Sequence, residues 1–353
     1  MLLARLLLLA ATAVGTLACQ PAAPAAGVPA AARPAPTSPP GAAKAPTQAA
    51  APATRLKVGQ TFLAAALLPY WLALDSGAFA AHGLEIESVL MRGSVEGVAA
   101  LASGDAELLL GTPSPPFIGA ARETGLIVVG TTNNRLQYQI VGNVPTLPEL
   151  RGKAVGLARI GDTTQYLTVQ ALERAGLRAE DVRWVSVGNI PQRTAALLSG
   201  QIDATPVIVP SNLQAIKAGY YQIADLGDMG IPYAGPSVLL RRADAEQRPA
   251  VVESFLKGLM GGVQAVTAEP DRARAVLRQR LDLSDPEEIE ATYQDNVKGL
   301  EPWLAPSLAG LQDVINQTVA ENPSVAGLRA EDLVDLRYVE AIRASGFDPS
   351  QPR

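Results

Sequence analysis

Hydroxyl and amide side chains follow the predicted strands of this 353-residue chain. Such groups hydrogen-bond to small polar ligands, and α/β sheets hold ligands at the carboxyl ends of strands, where helix N-termini point their amides. The first candidates along the chain are Thr61, Tyr70, Gly93, Ser94, Thr112, Ser114, Thr131 and Asn133. The later candidates are Asp162, Thr163, Thr164, Asn189 and Thr205. Together they predict a binding site for a small molecule.

Several candidates also have a purely structural explanation. Ser94 and Thr163 suit ordinary helix N-caps, and Gly93 suits a tight turn. Tyr70 begins a predicted helix and faces either the cleft or the core. Asp162 brings a carboxylate to a helix start, which disfavours an anionic ligand unless the carboxylate points away. Both explanations remain open from the sequence.

The residues that enzymes need are scarce. His82 is the only histidine and Cys19 the only cysteine, so a Ser-His-Asp triad, a histidine metal site or a cysteine cluster lacks members. The sequence has no Gly-x-Ser-x-Gly elbow and no Walker-type phosphate loop. The acidic residues Asp285, Glu287 and Glu288 suit a solvated helix start. We therefore expect a binding protein and not an enzyme, without cofactor or metal.

A stretch of sequence occurs twice and predicts the architecture. The segment 83–107 recurs as 176–204, and from the turn onward the two copies keep the same register, with Gly93 matching Asn189 and Gly104 matching Gly200. Each copy has the pattern of a strand, a polar turn, a short helix ending at Ser-Gly, and a strand; the glycine is a typical left-handed helix cap. The repeated βαβ unit predicts an α/β fold with two similar lobes and a cleft between them.

The chain is expected to have four parts. Residues 1–18 are a signal peptide, too short in its apolar run to span a bilayer. Residues 19–54 are rich in Ala and Pro and are predicted to be a disordered tether. Residues 55–142 plus 236–347 form lobe 1, and residues 143–235 form lobe 2. Two chain crossings between the lobes, expected near 137–143 and 235–239, would form a hinge.

The N-terminus predicts an extracytoplasmic protein. Cys19 follows the small residue Ala18 at the expected cleavage point, which resembles a bacterial lipoprotein signal in which the cysteine is lipidated. Thr16 departs from that pattern, and the alternative is an ordinary signal peptide with an incidental cysteine. The net charge of −5 argues against a nucleic-acid partner, which requires a basic surface.

Several short motifs, in this order, resemble one family of proteins. They are Pro69-Tyr70-Trp71-Leu72-Ala73, Ser103-Gly104-Asp105-Ala106-Glu107, Leu150-Arg151-Gly152-Lys153 and Ser199-Gly200-Gln201-Ile202-Asp203-Ala204. Over roughly residues 56–268 the chain resembles the nitrate/sulfonate/taurine-type solute-binding proteins of ABC importers, a group that includes thiamine-precursor binders.

The resemblance implies a bilobal periplasmic-binding-protein-like fold of type II that closes on its ligand by hinge motion. It implies a monomeric, lipid-anchored protein that passes a small organic solute to an ABC permease and its ATPase. The solute would be sulfonate-, nitrate- or taurine-like, or a thiamine pyrimidine precursor, although Asp162 leaves room for a neutral or cationic molecule. Two alternatives are a ligand-sensing lipoprotein for a membrane kinase and a pyrimidine-precursor synthase. The cysteine-rich, histidine-bearing motif of such synthases is absent.

Overall fold

Ten strands form two separate five-stranded sheets in the computed structural model of the protein, which describes residues 53–161 and 163–349. The strands are β1 (Thr54–Gln60), β2 (Leu84–Leu90), β3 (Leu108–Gly111), β4 (Leu126–Thr131), β5 (Tyr138–Gly142), β6 (Ala154–Leu157), β7 (Arg183–Ser186), β8 (Ala204–Ile208), β9 (Tyr221–Asp225) and β10 (Ser237–Arg241). The first sheet has the order β2-β1-β3-β10-β4, and the second has the order β7-β6-β8-β5-β9. The predicted signal peptide and most of the tether, including Cys19, lie outside the described residues, as does Asp162.

Helices connect and cover the strands. In the described residues they are α1 (Leu68–Ser76), α2 (Ala78–Ala81), α3 (Ser94–Ser103), α4 (Pro115–Thr124), α5 (Thr163–Arg174), α6 (Ile190–Leu198), α7 (Ser211–Lys217), α8 (Arg242–Gln247), α9 (Pro249–Ala268), α10 (Pro270–Leu281), α11 (Pro286–Val297), α12 (Leu308–Glu321), α13 (Ala330–Leu333) and α14 (Arg337–Ala344). None of the helices in residues 53–161 and 163–349 combines the length and apolarity that crossing a membrane requires.

The sequence repeat corresponds to the same unit in both sheets. The first copy is β2-α3-β3, whose strands flank β1, and the second is β7-α6-β8, whose strands flank β6. All pairings within these two trios are parallel. Gly104 and Gly200 follow the two helices with φ of 85° and 74°, a left-handed conformation that glycine adopts without steric cost. The predicted βαβ units are therefore confirmed.

We call the part built on the first sheet the first lobe and the part built on the second sheet the second lobe. The first lobe has a continuous apolar core that includes residues of β1, β3, β4, α1 and α9. Helix α9 packs directly against α1. A Cβ added at Gly262 would stand only 2.0 Å from the Pro69 carbonyl oxygen. The second lobe has two smaller cores. Helices α11 and α12 contribute Tyr293, Leu311 and Ile315 to the first core, so both belong to the first lobe.

The chain passes between the sheets twice, at residues 132–137 and 226–236, which we call the first and second crossings. Strand β5, assigned to lobe 1 from the sequence, instead pairs with β8 and β9 in the second sheet. The first crossing therefore comes before Tyr138, earlier than expected. Thr54, assigned to the tether, is the first residue of β1. The remaining limits of the predicted parts stay predictions.

Candidate ligand-binding site

Three of the predicted site residues are buried and bonded within the protein. Tyr70 is 1% exposed, and its hydroxyl lies 2.6 Å from the Ser88 hydroxyl. Thr131 Oγ1 lies 2.7 Å from the Ser237 hydroxyl, and Thr205 donates to the Gly156 carbonyl oxygen at 2.9 Å. Burial raises the pKa of Tyr70 to about 12. In this structure these side chains bond to neighbouring strands. Of the two positions that the sequence left open for Tyr70, the structure shows the core.

Three further candidates position the backbone. Asn133 accepts from the Arg135 amide at 2.7 Å and is 2% exposed, so it shapes the first crossing. Thr164 is buried, and its hydroxyl accepts from the Ala158 amide at 3.4 Å. Thr61 is packed between β3 and α3: a Cβ added at Gly111 would stand 2.8 Å from its hydroxyl oxygen, and one added at Gly97 would stand 2.6 Å from its methyl carbon. These three side chains therefore fix the backbone at the carboxyl ends of the strands.

The other described candidates are at least partly accessible at the carboxyl ends of the strands. They are Gly93, Ser94, Thr112, Ser114, Thr163 and Asn189. Asn189 caps α6, since its side chain accepts from the Gln192 amide at 3.1 Å. Ser114 precedes α4, and its hydroxyl oxygen is shielded from solvent without a hydrogen-bond partner in the described part of the chain. Ser114 is therefore a polar group that a ligand could satisfy.

A cavity opens between α4 and α12 of the first lobe and α5 of the second. Its volume is about 740 Å³. The lining residues are Pro115, Pro116, Arg159, Gly161, Thr163, Tyr166, Asn316, Gln317, Ala320 and Glu321. Thr163 is the one sequence-predicted site residue among them, and Tyr166 lies one turn further along the same helix face. Residues of α12 were missed because they are distant in sequence.

A smaller cavity of about 190 Å³ also has walls from both lobes. The first lobe contributes Leu63, Ala64 and Ala65 together with residues of α10 and α11, and the second lobe contributes Ile208. Val209 and Pro210, which follow β8, complete that second-lobe wall. Both cavities therefore have walls from the first and from the second lobe.

Polar contacts of Tyr166 and of Lys217 join the lobes directly. Tyr166 of α5 donates a hydrogen bond to Asp313 of α12 at 2.8 Å. Burial and the Asp313 carboxylate raise the pKa of Tyr166 to about 12, so the hydroxyl keeps its proton near neutral pH. Lys217 at the end of α7 lies 2.8 Å from both Asp285 and Glu287 at the start of α11. These contacts can form only while α5 and α7 stand close to the first lobe.

A charged cluster lies where the two crossings meet. The Arg135 guanidinium contacts Asp225 at 2.6 Å, Asp228 at 3.0 Å and Asp295 at 3.1 Å. Arg135 belongs to the first crossing, Asp225 and Asp228 flank the start of the second, and Asp295 belongs to α11. Burial raises the pKa of Asp295 to about 6, although Arg135 acts in the opposite direction. The cluster ties both crossings to the first lobe.

Two sheets joined by two crossings, with a cavity at their carboxyl ends, define the periplasmic-binding-protein fold. The structure is similar to that of the aliphatic sulphonate binding protein SsuA from Escherichia coli, with a TM-score of 0.65 and 20% identity over 78% of this chain and 95% of that one. It is also similar to the desulfurization enzyme DszB, with a TM-score of 0.62 and 16% identity over 83% of this chain and 100% of that one. The fold is therefore shared by binding proteins and by an enzyme.

The chain belongs to the family described as NMT1/THI5 like, which matches residues 65–273. A taurine-binding periplasmic protein of Escherichia coli (strain K12) is 27% identical over 209 residues. That alignment covers 58% of this chain and 63% of the relative, so the chain spans less than two thirds of the relative's length. The family resemblance found in the sequence is confirmed.

Proposed function

We propose that this protein is the extracytoplasmic substrate-binding component of an ABC importer and captures a small organic solute between its lobes. The observation that carries the proposal is the cavity of about 740 Å³ lined by α4 and α12 of the first lobe and α5 of the second. Ligand pockets are typically clefts of about 300–1,000 Å³, lined mostly by apolar groups with a few polar ones. The family relative that binds taurine and the sulphonate-binding structure support the same function.

In this proposal the lobes close on the solute by rotating about the two crossings. Hinge closure moves two rigid bodies while a few connecting residues absorb the change. The Arg135 cluster holds the crossings together, and the contacts of Tyr166 and Lys217 form between the lobes. A ligand that touches both walls binds the closed arrangement more tightly than the open one and therefore stabilises the closed arrangement.

We further propose that the protein acts as a membrane-tethered monomer and has no catalytic activity. Lipidation of Cys19 would fix the mature N-terminus to the membrane, and the Ala/Pro-rich segment would separate the lobes from it. The loaded protein would deliver its solute to a permease driven by an ATPase. The single histidine, His82, packs beside Phe347 and is absent from the walls of both interlobe cavities, which supports binding without catalysis.

Isothermal titration calorimetry with Ala320→Trp tests the site. Ala320 is exposed on α12 and lines the large cavity, so an indole there should fill the cavity while leaving the fold intact. Ala344→Trp, at an exposed alanine of α14, is the matched control. We expect the unchanged protein and the control to bind one sulfonate or carboxylate per chain, and Ala320→Trp to lose at least about tenfold in affinity. Equal affinity in all three proteins would contradict this location of the site.

A further inference from the structure

One guanidinium holds buried carboxylates from both lobes at the crossings. Arg135 of the first crossing contacts Asp225, the last residue of β9 in the second lobe, and Asp295 of α11 in the first lobe. The three side chains are 9%, 10% and 7% exposed. A Cβ added at Gly227 would stand 2.5 Å from the Arg135 guanidinium carbon, so the guanidinium packs directly against the second crossing. Rotation of the lobes about the crossings therefore alters the separation of Asp225 and Asp295.

The charges of this cluster do not balance when every group is ionised. Asp228, which is 70% exposed, places a third carboxylate 3.0 Å from Arg135. Lys298, directly after α11, adds a second cation 4.0 Å from Asp225. Three carboxylates thus face two cations, and carboxylates that share a site disfavour one another's ionisation. One of the buried carboxylates is therefore the natural place for a proton.

Asp295 is the carboxylate that keeps a proton most readily. Asp225 accepts from Arg135 at 2.6 Å and from the Gly227 amide at 3.0 Å, and both bonds favour its ionised form. Asp295 accepts from Arg135 at the longer distance of 3.1 Å. Burial raises the pKa of Asp295 to about 6; Asp225 acts in the same direction, whereas Arg135 and Lys298 act in the opposite one.

The second lobe supplies part of the wall that keeps water from Asp295. Asp295 lines the smaller interlobe cavity, opposite Val209 and Pro210 of the second lobe. The other residues that line this cavity are uncharged, among them Gln137 of the first crossing and Leu281 of α10. Opening of the lobes would withdraw the second-lobe wall and move Asp225 away from Asp295. Both changes favour the ionised form of Asp295 in the open arrangement.

We propose that this cluster is a proton switch in the hinge: a proton on Asp295 favours the closed arrangement of the lobes, and loss of that proton favours the open one. With the proton in place, two carboxylates face two cations. Without it, the excess negative charge is shared by Asp225 and Asp295 and pushes the two lobes apart. Closure therefore takes up a proton, and acidification favours closure by the same coupling. The switch goes beyond the proposed function, because it does not depend on which solute is bound.

Small-angle X-ray scattering of the full chain without ligand, at pH 7.5 and at pH 5, tests the switch. If the pKa of Asp295 is about 6 in the closed arrangement and has its ordinary value of 3.8 in the open one, the ratio of closed to open protein rises about tenfold between these pH values. The radius of gyration should therefore be smaller at pH 5. Asp295→Asn removes the charge and keeps the shape, and it should show the smaller radius at both pH values. Asp271→Asn, at a fully exposed carboxylate of α10, is the matched control and should respond like the unchanged protein.

A radius of gyration that is the same at both pH values in the unchanged protein would overturn the switch. An undiminished pH response in Asp295→Asn would overturn it as well, because another group would then carry the titration. If thermal unfolding shows that Asp295→Asn is not folded, Asp225→Asn provides the second test: it removes the excess charge from the second lobe and should at least halve the response, and a full response would count against the switch. These measurements need no ligand, so their failure leaves the proposed function standing.

Discussion

The hydrogen bond between Tyr166 and Asp313 gives a quantitative test of lobe closure. The bond joins α5 to α12 across the cleft at 2.8 Å. Hydrogen bonds to charged groups contribute about 1.5–3 kcal/mol, and the partial exposure of both residues reduces this to about 1 kcal/mol. If the bond forms on closure, Tyr166→Phe removes about 1 kcal/mol from the closed state and weakens ligand binding about fivefold.

A double-mutant cycle separates closure from direct ligand contact, because Tyr166 also lines the large cavity. Asp313→Ala should weaken binding by a similar factor, and in the Tyr166→Phe background it should have little further effect. Tyr221→Phe, which removes a hydroxyl from a half-exposed residue of the second lobe, is the control and should bind normally. Dissociation constants from calorimetry provide the readout. Additive effects of the two substitutions, or no effect of Asp313→Ala, would refute closure through this bond.

Four further predictions follow from individual residues. Burial raises the pKa of Asp295 from 3.8 to about 6, so the stability that its proton contributes is full below pH 4 and is lost as the pH rises through 6. In chemical denaturation, the free energy of unfolding of Asp295→Asn should therefore increase relative to that of the unchanged protein by on the order of 2–3 kcal/mol over this interval. A difference that does not depend on pH would contradict the raised pKa. In thermal unfolding, Gly262→Ala should lower the unfolding free energy by about 1–3 kcal/mol, because the added Cβ overlaps with Pro69. Gly261→Ala is the control and should be neutral or stabilising, because its added Cβ would meet its nearest neighbour at 3.6 Å. Lys217→Met should weaken ligand binding slightly at low salt and not at high salt, since its ion pairs are exposed; a loss that persists at high salt would show another role. Cys19→Ala should release the protein from the membrane fraction, and unchanged retention would exclude lipidation as the anchor.

The sequence predicts the architecture well wherever a local pattern carries it. The repeat identified β2-α3-β3 and β7-α6-β8, because strand alternation and a glycine helix cap are local signals. Strand β5 was placed in the wrong lobe, since its apolar run indicates a strand without indicating which sheet it joins. The partner of a strand depends on the path of the whole chain.

The site could be predicted only in part for a related reason. Of the residues predicted at strand ends, Thr163 lines the large cavity, and Ser114 immediately precedes the cavity residue Pro115. The direction of a side chain at a strand end was not predictable, and the hydroxyls of Thr131 and Thr205 bond inside the protein. The wall supplied by α12 comes from more than a hundred residues further along the chain than α5, and no sequence periodicity relates the two helices.

Small-angle X-ray scattering with and without a saturating ligand tests the central claim, which is that one solute is held between two lobes that close on it. A sulfonate or carboxylate that binds in calorimetry serves as the ligand, at a concentration that calorimetry shows to be saturating. We predict a smaller radius of gyration for the bound protein, and for Ala320→Trp a smaller decrease at a ligand concentration that just saturates the unchanged protein. Saturated protein whose scattering profile is identical to that of the free protein would contradict closure of the lobes.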